Sequence, residues 1–255
     1  MQDFRNLSRD AWHERYLAQA GWTSHIRQHV FKKIDPLHNE RILEIGSGTS
    51  AVLNALRKEG YFNLWGVDID FPSVMFSKSS QDPFHLFQAN GMYLPFSNGC
   101  FGITFCHYLL MWVRTPLQIL AEMCRVTHPK GWVLALAEPD HKARIDFPPP
   151  LDKLGFQQTQ ALERQGVDVS MGRKLRSLFY QAGLIDVEVG ILGGLWDKKD
   201  PPPQEETEWM MIRSDLQDQL SAEVLSEYQY QDQQAFETGM RVLFIPTFYA
   251  LGRPV

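Results

Sequence analysis

Arg41-Ile42-Leu43-Glu44-Ile45-Gly46-Ser47-Gly48-Thr49-Ser50 is the stretch whose reading decides the fold. Three apolar residues, Ile42, Leu43 and Ile45, surround one acid, Glu44. Gly46 and Gly48 follow, and then Val52, Leu53 and Leu56 recur at helical spacing. A short apolar run, a glycine turn and a helix start make a strand–loop–helix unit. Glycines let backbone N–H groups approach a ligand, and a helix N-terminus presents the positive end of its dipole.

The same grammar continues on both sides. Residues 8–34 read as two helices, the first capped by Ser8 and the second by Thr23, ending at Asp35-Pro36. Downstream, strands are expected at Leu64–Asp70, Phe84–Gln88, Ile103–Tyr108 and Trp132–Ala137. Helices are expected at Thr49–Lys58, from Pro72 to about Ser80, and after Thr115-Pro116. Alternating helices and near-continuous apolar strands indicate a parallel sheet covered on both faces, with ligands at the carboxyl ends of the strands. Beyond His141 the composition turns to proline and glutamine, with Pro148-Pro149-Pro150 and Asp200-Pro201-Pro202-Pro203 opening polar insertions. Helices are expected at Leu151–Arg164, from Ser170 towards Gly183, and at about 205–220 and 221–237. Asp186–Leu192 reads as a sixth strand, and Arg241–Ala250 as a last one, bent or on an edge at Pro246.

The chain has 255 residues and a formal charge of −5. That length fits one large domain, and an acidic balance argues against nucleic acid as the main partner. Cys100, Cys106 and Cys124 are an odd number without close pairing, so neither a disulfide framework nor a metal site is expected. The N-terminus shows no signal pattern and no run approaches a membrane span, so the reading is a cytoplasmic protein with no membrane partner.

The glycine loop alone is ambiguous, because Gly46-Ser-Gly48-Thr-Ser-Ala51 also fits the dinucleotide pattern G-x-G-x-x-A. Asp68, at the end of the second strand, can accept ribose hydroxyls in either case. Glu44 tips the balance: an acid there suits a cationic group such as an amino-acid ammonium. A ligand with both an α-amino group and a ribose is S-adenosylmethionine.

Four segments carry a resemblance: Glu44-Ile-Gly-Ser-Gly48, Gly66-Val-Asp-Ile69, Asn90-Gly-Met-Tyr-Leu-Pro-Phe96 and Glu122-Met-Cys-Arg-Val-Thr-His-Pro-Lys-Gly131. In order and spacing they resemble the class I S-adenosylmethionine-dependent methyltransferases, in the small-molecule branch with a Leu-Pro-Phe segment before the fourth strand. The resemblance runs from about residue 40 to 140. It implies a Rossmann-like, doubly wound α/β sheet, mostly parallel, with an antiparallel last strand. The whole is read as one domain over 1–255: N-terminal helices or lid at 1–38, a cofactor-binding core at 39–140, and helical cap insertions at 141–170 and 195–238. It also implies that Glu44, Gly46, Ser47 and Gly48 hold the methionine part of the cofactor. Asp68 would hold the ribose, Ile69 would pack on the adenine, and Asn90, Gly91 and Met92 would form the adenine wall. His107 would stand where sulfonium and acceptor meet. Ser50 replaces a frequent third glycine, tolerable if the backbone there is ordinary, and Gly102 replaces a Phe-Asp pair whose carboxylate is often structural.

The implied reaction is methyl transfer to a small-molecule acceptor. A nicotinamide-dependent oxidoreductase and a non-catalytic cofactor-binding protein are the alternatives. His107 is either a satisfied core histidine or a general base, and Tyr108 a shaper of the acceptor pocket. Trp12, Tyr16 and Trp22 are packing residues or a lid whose aromatic faces suit a cation. Glu138, Asp140 and His141, after the fifth strand, touch the acceptor or are solvated. Cys106 reads as core.

Overall fold

The computed structural model describes residues 8–79, 84–193 and 205–255. Helices α1 (Arg9–Trp22) and α2 (Ser24–Ile34) precede strand β1 (Ile42–Ile45). Then come α3 (Ala51–Lys58), β2 (Leu64–Asp68), α4 (Phe71–Ser79), β3 (His85–Gln88) and β4 (Phe101–Cys106). Helix α5 (Pro116–Val126) leads to β5 (Thr127–Pro139), a short β6 (Ile145–Phe147), α6 (Leu151–Arg164), α7 (Met171–Gln181) and β7 (Ile185–Ile191). The chain closes with α8 (Glu205–Leu216), α9 (Ala222–Glu237), β8 (Val242–Phe244) and β9 (Thr247–Arg253).

The main sheet has the order β3-β2-β1-β4-β5-β9-β7. Strands β1 to β5 are parallel to one another, and β9 runs antiparallel to both β5 and β7. After β3 the chain returns to the other side of β1, so a crevice opens between the carboxyl ends of β1 and β4. All four residues of β1 are buried, because helices cover both faces. Alternation along the strand assigns the faces. Ile42 joins Val30, Phe31, Leu53 and Leu56 beneath α2 and α3, while Leu43 and Ile45 join Ile119, Leu120, Met123, Leu175 and Phe179 beneath α5 and α7. Glu44 shares the period of Ile42 and so faces α3.

The resembling segments hold one another. Glu122 of α5 accepts a 2.7 Å hydrogen bond from Leu94 N, and Arg125 donates to the carbonyls of Leu94 and Phe96 at 3.0 and 2.8 Å. The Leu94-Pro95-Phe96 segment is thereby clamped to the helix that follows β4. At Gly102 a Cβ would lie 2.1 Å from Oε1 of Glu40, so the carboxylate missing at that position is replaced in space by one from two residues before β1.

Three expectations need correction. The last strand does not run unbroken from Arg241: it divides at Ile245-Pro246, where proline offers no N–H to a ladder. Its first part, β8, pairs with β6, a strand not expected within the proline-rich stretch. Its second part, β9, lies inside the sheet, and the edge is β7. Asp200–Pro203 and the end of the helix at Ser80 lie outside the described residues.

Among the described residues the two insertions share one core. Leu151, Leu154 and Ala161 of α6 share a core with Trp209, Ile212 and Leu216 of α8 and with Leu225 and Ala235 of α9. Beneath them Asp146, whose side chain is 3% exposed, pairs with Arg144 and, at 3.0 Å, with Arg241. Arg241 also pairs with Asp232, which accepts from the Trp209 indole at 3.0 Å. Removing one partner of a buried ion pair strands the others. Asp146→Ala should therefore lower stability by about 3 kcal/mol in chemical denaturation. Lys142→Ala, which removes an exposed pair with Glu163, should change it by no more than about 0.5 kcal/mol.

Candidate functional site

The glycine loop leaves β1 with Gly46 at φ +74° and Gly48 at φ +49°. Side chains are excluded there twice over. A Cβ at Gly46 would come within 2.8 Å of Leu109 Cδ1, and one at Gly48 within 3.2 Å of the Tyr16 ring. Asp68 fixes the loop from the neighbouring strand, its Oδ2 accepting from Gly48 N at 2.7 Å and its Oδ1 from Asp70 N at 2.8 Å. Burial raises the Asp68 carboxyl above its ordinary range. Ser50, by contrast, does not have the ordinary backbone expected of it. It sits in the left-handed region at φ +62°, ψ +29°, and its buried hydroxyl finds no partner among the described residues.

Glu44 is 2% exposed. The N–H of Leu53 in α3 bonds its carboxyl, but Oε2 is buried and has no partner among the described residues. Burial pushes this carboxyl well above the usual carboxylate range, and the charge of Asp68 pushes it the same way. An orphaned acceptor in a dry site is unfavourable unless a ligand supplies the donor.

The adenine-wall candidates gather at the ends of β2 and β3. Ile69 is 67% exposed, an apolar face left open beside Asp68. Asn90 Oδ1 accepts from Met92 N at 3.0 Å, and the Thr115 hydroxyl donates to Met92 Sδ at 3.1 Å. A Cβ on Gly91 would approach Ile45 and Ile119 to 2.8 and 3.0 Å, so the turn packs directly on β1 and α5.

Helix α1 lies over the loop. Arg9 pairs with Asp70 at 2.7 Å, His13 Nδ1 is 2.8 Å from the Thr49 hydroxyl, and Tyr16 covers Gly48. Trp22 lies at the end of this helix, next to Thr23. Contrary to expectation, Thr23 does not cap α2 with its side chain. Its hydroxyl donates to Gln19 O at 2.9 Å and lies 2.7 Å from His107 Nε2. The hydroxyl has one proton, so with Gln19 as its acceptor, Nε2 of His107 must be the donor and Nδ1 the free lone pair. Burial, with the charge of Arg27, lowers the His107 imidazole to about 3, so it is neutral across the physiological range.

Tyr108, next in the chain, stands edge-on to His107 with ring centroids 4.8 Å apart and has φ +50°. An aromatic side chain at positive φ is a strained conformation that surrounding structure must impose. Part of that structure is Glu138. It is fully buried, with Oε1 accepting from Leu109 N and Leu110 N at 3.0 and 2.8 Å and Oε2 from Met111 N at 3.0 Å. Burial pushes it up to about 7 against those three bonds. Glu138 thus anchors the β4 loop instead of facing an acceptor or solvent. Asp140 is likewise buried, paired with Arg173. His141 begins a short 3-10 turn, with Nδ1 buried and without a partner among the described residues, and burial lowers its imidazole to about 4.

Residues 43–135 match the family model described as a methyltransferase domain. That segment, from β1 into β5, holds the glycine loop, Asp68 and the turn after β3. No curated protein matches the sequence. Among solved structures, an Anabaena variabilis protein assigned as a methyltransferase from an antibiotic biosynthesis pathway superposes with a TM-score of 0.64 at 11% identity, over 89% of this chain and 96% of that one. The protein assigned as a methyltransferase in complex with the Haloferax volcanii Trm112 methyltransferase activator gives 0.58 at 15% identity, over 96% and 95%. Haemonchus contortus phosphoethanolamine N-methyltransferase 2 gives 0.57 at 13% identity, over 92% of this chain but 53% of that one.

The cofactor that the sequence resemblance implies is S-adenosylmethionine, which a Haemonchus contortus neighbour holds. The site fits it on grounds internal to the chain: an unpartnered buried acid, an acid at the second strand end and an open apolar face. Among the described residues no cluster of histidine, cysteine or acid side chains could hold a metal ion. No described helix is long and apolar enough to cross a membrane. The sequence reading passed over Arg9, His13 and Thr23 as site residues. Their only signal was their place in a helix before the first strand.

The left-handed Ser50 carries a local cost that glycine would not. Ser50→Gly should raise stability by about 1 kcal/mol, read from the denaturation midpoint at unchanged slope. A fall instead would mean that the Ser50 hydroxyl has a partner in the working enzyme.

Proposed function

We propose that the chain methylates a small-molecule acceptor. The observation that carries this is enclosure. Helix α1 covers the glycine loop, and the α6–α8–α9 cap packs against α1, so the crevice beyond β4 is roofed instead of opening onto a flat surface. Among the neighbours, the Haemonchus structure contains phosphomonomethylethanolamine with S-adenosylhomocysteine, and another is a geranyl diphosphate methyltransferase with its cofactor. Small acceptors are therefore compatible with this architecture.

In this reading the unpartnered Oε2 of Glu44 takes the cofactor's ammonium, beside the loop Gly46-Ser47-Gly48. Asp68 retains lone pairs for two ribose hydroxyls while holding Gly48. Ile69 supports the adenine, with Asn90, Gly91 and Met92 at its edge. Bound there, S-adenosylmethionine supplies an electrophilic methyl group that an acceptor nucleophile takes by in-line displacement. Alignment then contributes most of the rate enhancement. Tyr16 closes the loop from above, and Tyr108 shapes the acceptor side. His107 joins α1 and α2 to β4 through Thr23. A group neutral down to about 3 is a poor proton acceptor at neutral pH, so we assign it positioning and not base catalysis.

Calorimetry tests the cofactor geometry. Glu44→Gln and Asp68→Ala should each weaken S-adenosylmethionine binding by more than about tenfold, the order expected for a lost charged hydrogen bond. Unchanged affinity in either variant would remove that residue from the site. Because the Glu44 carboxyl is raised, it must lose its proton before it can pair with a cation. Wild-type affinity should therefore strengthen as pH rises above the ordinary carboxylate range, and Glu44→Gln should flatten that dependence. Release of S-adenosylhomocysteine across a broad acceptor panel tests turnover. Binding without any turnover would favour a non-catalytic role.

A further inference from the structure

The turn after β4 sorts its side chains. Tyr108 N donates to Ala137 O at 2.9 Å, and the positive φ of Tyr108 bends the chain out of the strand direction. The next three N–H groups converge on Glu138, at 3.0, 2.8 and 3.0 Å. Leu110 and Met111 are buried in the core beneath α5 and α7. Leu109 is only half-buried, and its side chain lies against the glycine loop. The three atoms nearest to a Cβ built on Gly46 all belong to it: Cδ1 at 2.8 Å, Cδ2 at 3.3 Å and Cγ at 3.4 Å. Leu109 therefore fills, from the β4 side of the crevice, the place that a side chain on the first loop glycine would take. Met111 O accepts from Asp168 N at 2.8 Å, which ties the far end of the turn to the segment entering α7. With its backbone held on both sides, the leucine has little room to withdraw.

We propose that Leu109 limits the size of the group carried on the cofactor's sulfur, and that Glu138 is the positioning residue that holds it there. The inference rests on the cofactor reading above. In that reading Glu44 takes the ammonium and Asp68 the ribose, so the sulfur between them lies along the loop that begins at Gly46. The adenine lies towards β2 and β3, so the group to be transferred faces the other way, towards β4, where Leu109 stands. An apolar wall suits a methyl group, which asks for no hydrogen bond. A wall that cannot yield disfavours anything larger, because an extra methylene in a filled space forces side chains or backbone to shift. Glu138 supplies the stiffness, because its two oxygens accept from all three N–H groups. Glutamine has one oxygen, so its NH2 would face at least one of those donors and the turn would lose a bond.

The test is calorimetric, on the full chain, with three ligands that differ at sulfur: S-adenosylhomocysteine, S-adenosylmethionine and the S-ethyl analogue of the latter. The wild type should bind the S-ethyl analogue about tenfold or more weakly than S-adenosylmethionine, the discrimination that one methylene gives in an apolar pocket. Leu109→Ala should bring those two affinities within about threefold of each other and leave S-adenosylhomocysteine affinity within about twofold of the wild type. Leu109→Met, of similar volume, should keep the discrimination. Glu138→Gln should lower it towards the value of Leu109→Ala. If Glu138→Gln melts early, Glu138→Asp, which keeps both oxygens on a shorter stem, takes its place with the same expectation. Equal weakening of all three ligands by Leu109→Ala would make the leucine a prop for the loop and overturn the proposal. So would equal binding of the methyl and ethyl ligands by the wild type, or an unchanged ratio in Leu109→Ala. Wild-type discrimination in the Glu138 variant overturns the positioning role. A wild type that binds none of the three ligands overturns the cofactor reading instead.

Discussion

The Asp68 carboxylate is the joint on which the site depends. One oxygen holds Gly48 N and the other holds Asp70 N. Asp70 in turn accepts from Arg9 and from the Ser73 hydroxyl, each at 2.7 Å. A single chain of bonds thus runs from the loop after β1, through the end of β2, to the lid helix α1. Hydrogen bonds to a carboxylate are stronger than neutral ones and favour its ionised form, which offsets part of the cost of burying Asp68. The same carboxylate sets the conformation of the cradle and, in the proposed reading, faces the ligand, so binding geometry and loop geometry cannot vary independently.

The cap is held by a different device. Residues 141–170 and 205–241 are far apart in sequence, and apolar packing alone would leave their relative placement loosely specified. The chain Arg144–Asp146–Arg241–Asp232–Trp209 crosses between them, and a second runs from Arg144 through Gln158 to Asp215 at 2.7 and 3.2 Å. Each member of such a network is satisfied only when the others are in place, so it specifies register better than it adds net stability. The second chain ends at Asp215 of α8, the helix of the cap that contacts α1.

Much of this was legible in the sequence, and the limits were physical. Strands β1, β2, β4 and β5 announced themselves because burial on both faces demands unbroken apolar runs. Helix α6 was read to its end residues. Strands β6 and β8 were not separable, because three residues carry no measurable period and their pairing spans some ninety-five positions. Glu44 and Asp68 stood out because acids are rare beside buried strands and a glycine loop. Glu138 looked equivalent, an acid after a strand. Its three backbone donors come from Leu109, Leu110 and Met111, and no local pattern reveals that a distant turn will need a carboxylate. Thr23 misled for the opposite reason: its position suits a helix cap, but a histidine 84 residues later competes for the hydroxyl.

Sites of broken local rules mark where the fold yields to function. Four described non-glycine residues have positive φ: Asp35, Ser50, Tyr108 and Asp186. The two aspartates are ordinary, since short polar side chains tolerate the left-handed region. Ser50 and Tyr108 have no such excuse, and they follow β1 and β4, the two strands that flank the crevice. Glu138, through the N–H groups after Tyr108, and Asp68, through Gly48 two residues before Ser50, each hold the loop in which one of them lies. One buried and one half-buried carboxylate thus hold two strained turns on either side of the same opening. Strain over-determined by surrounding bonds keeps a loop from relaxing into a lower-energy shape when no ligand is present. A reaction governed by alignment benefits from that rigidity, because the approach of an acceptor to the methyl group tolerates little error in position.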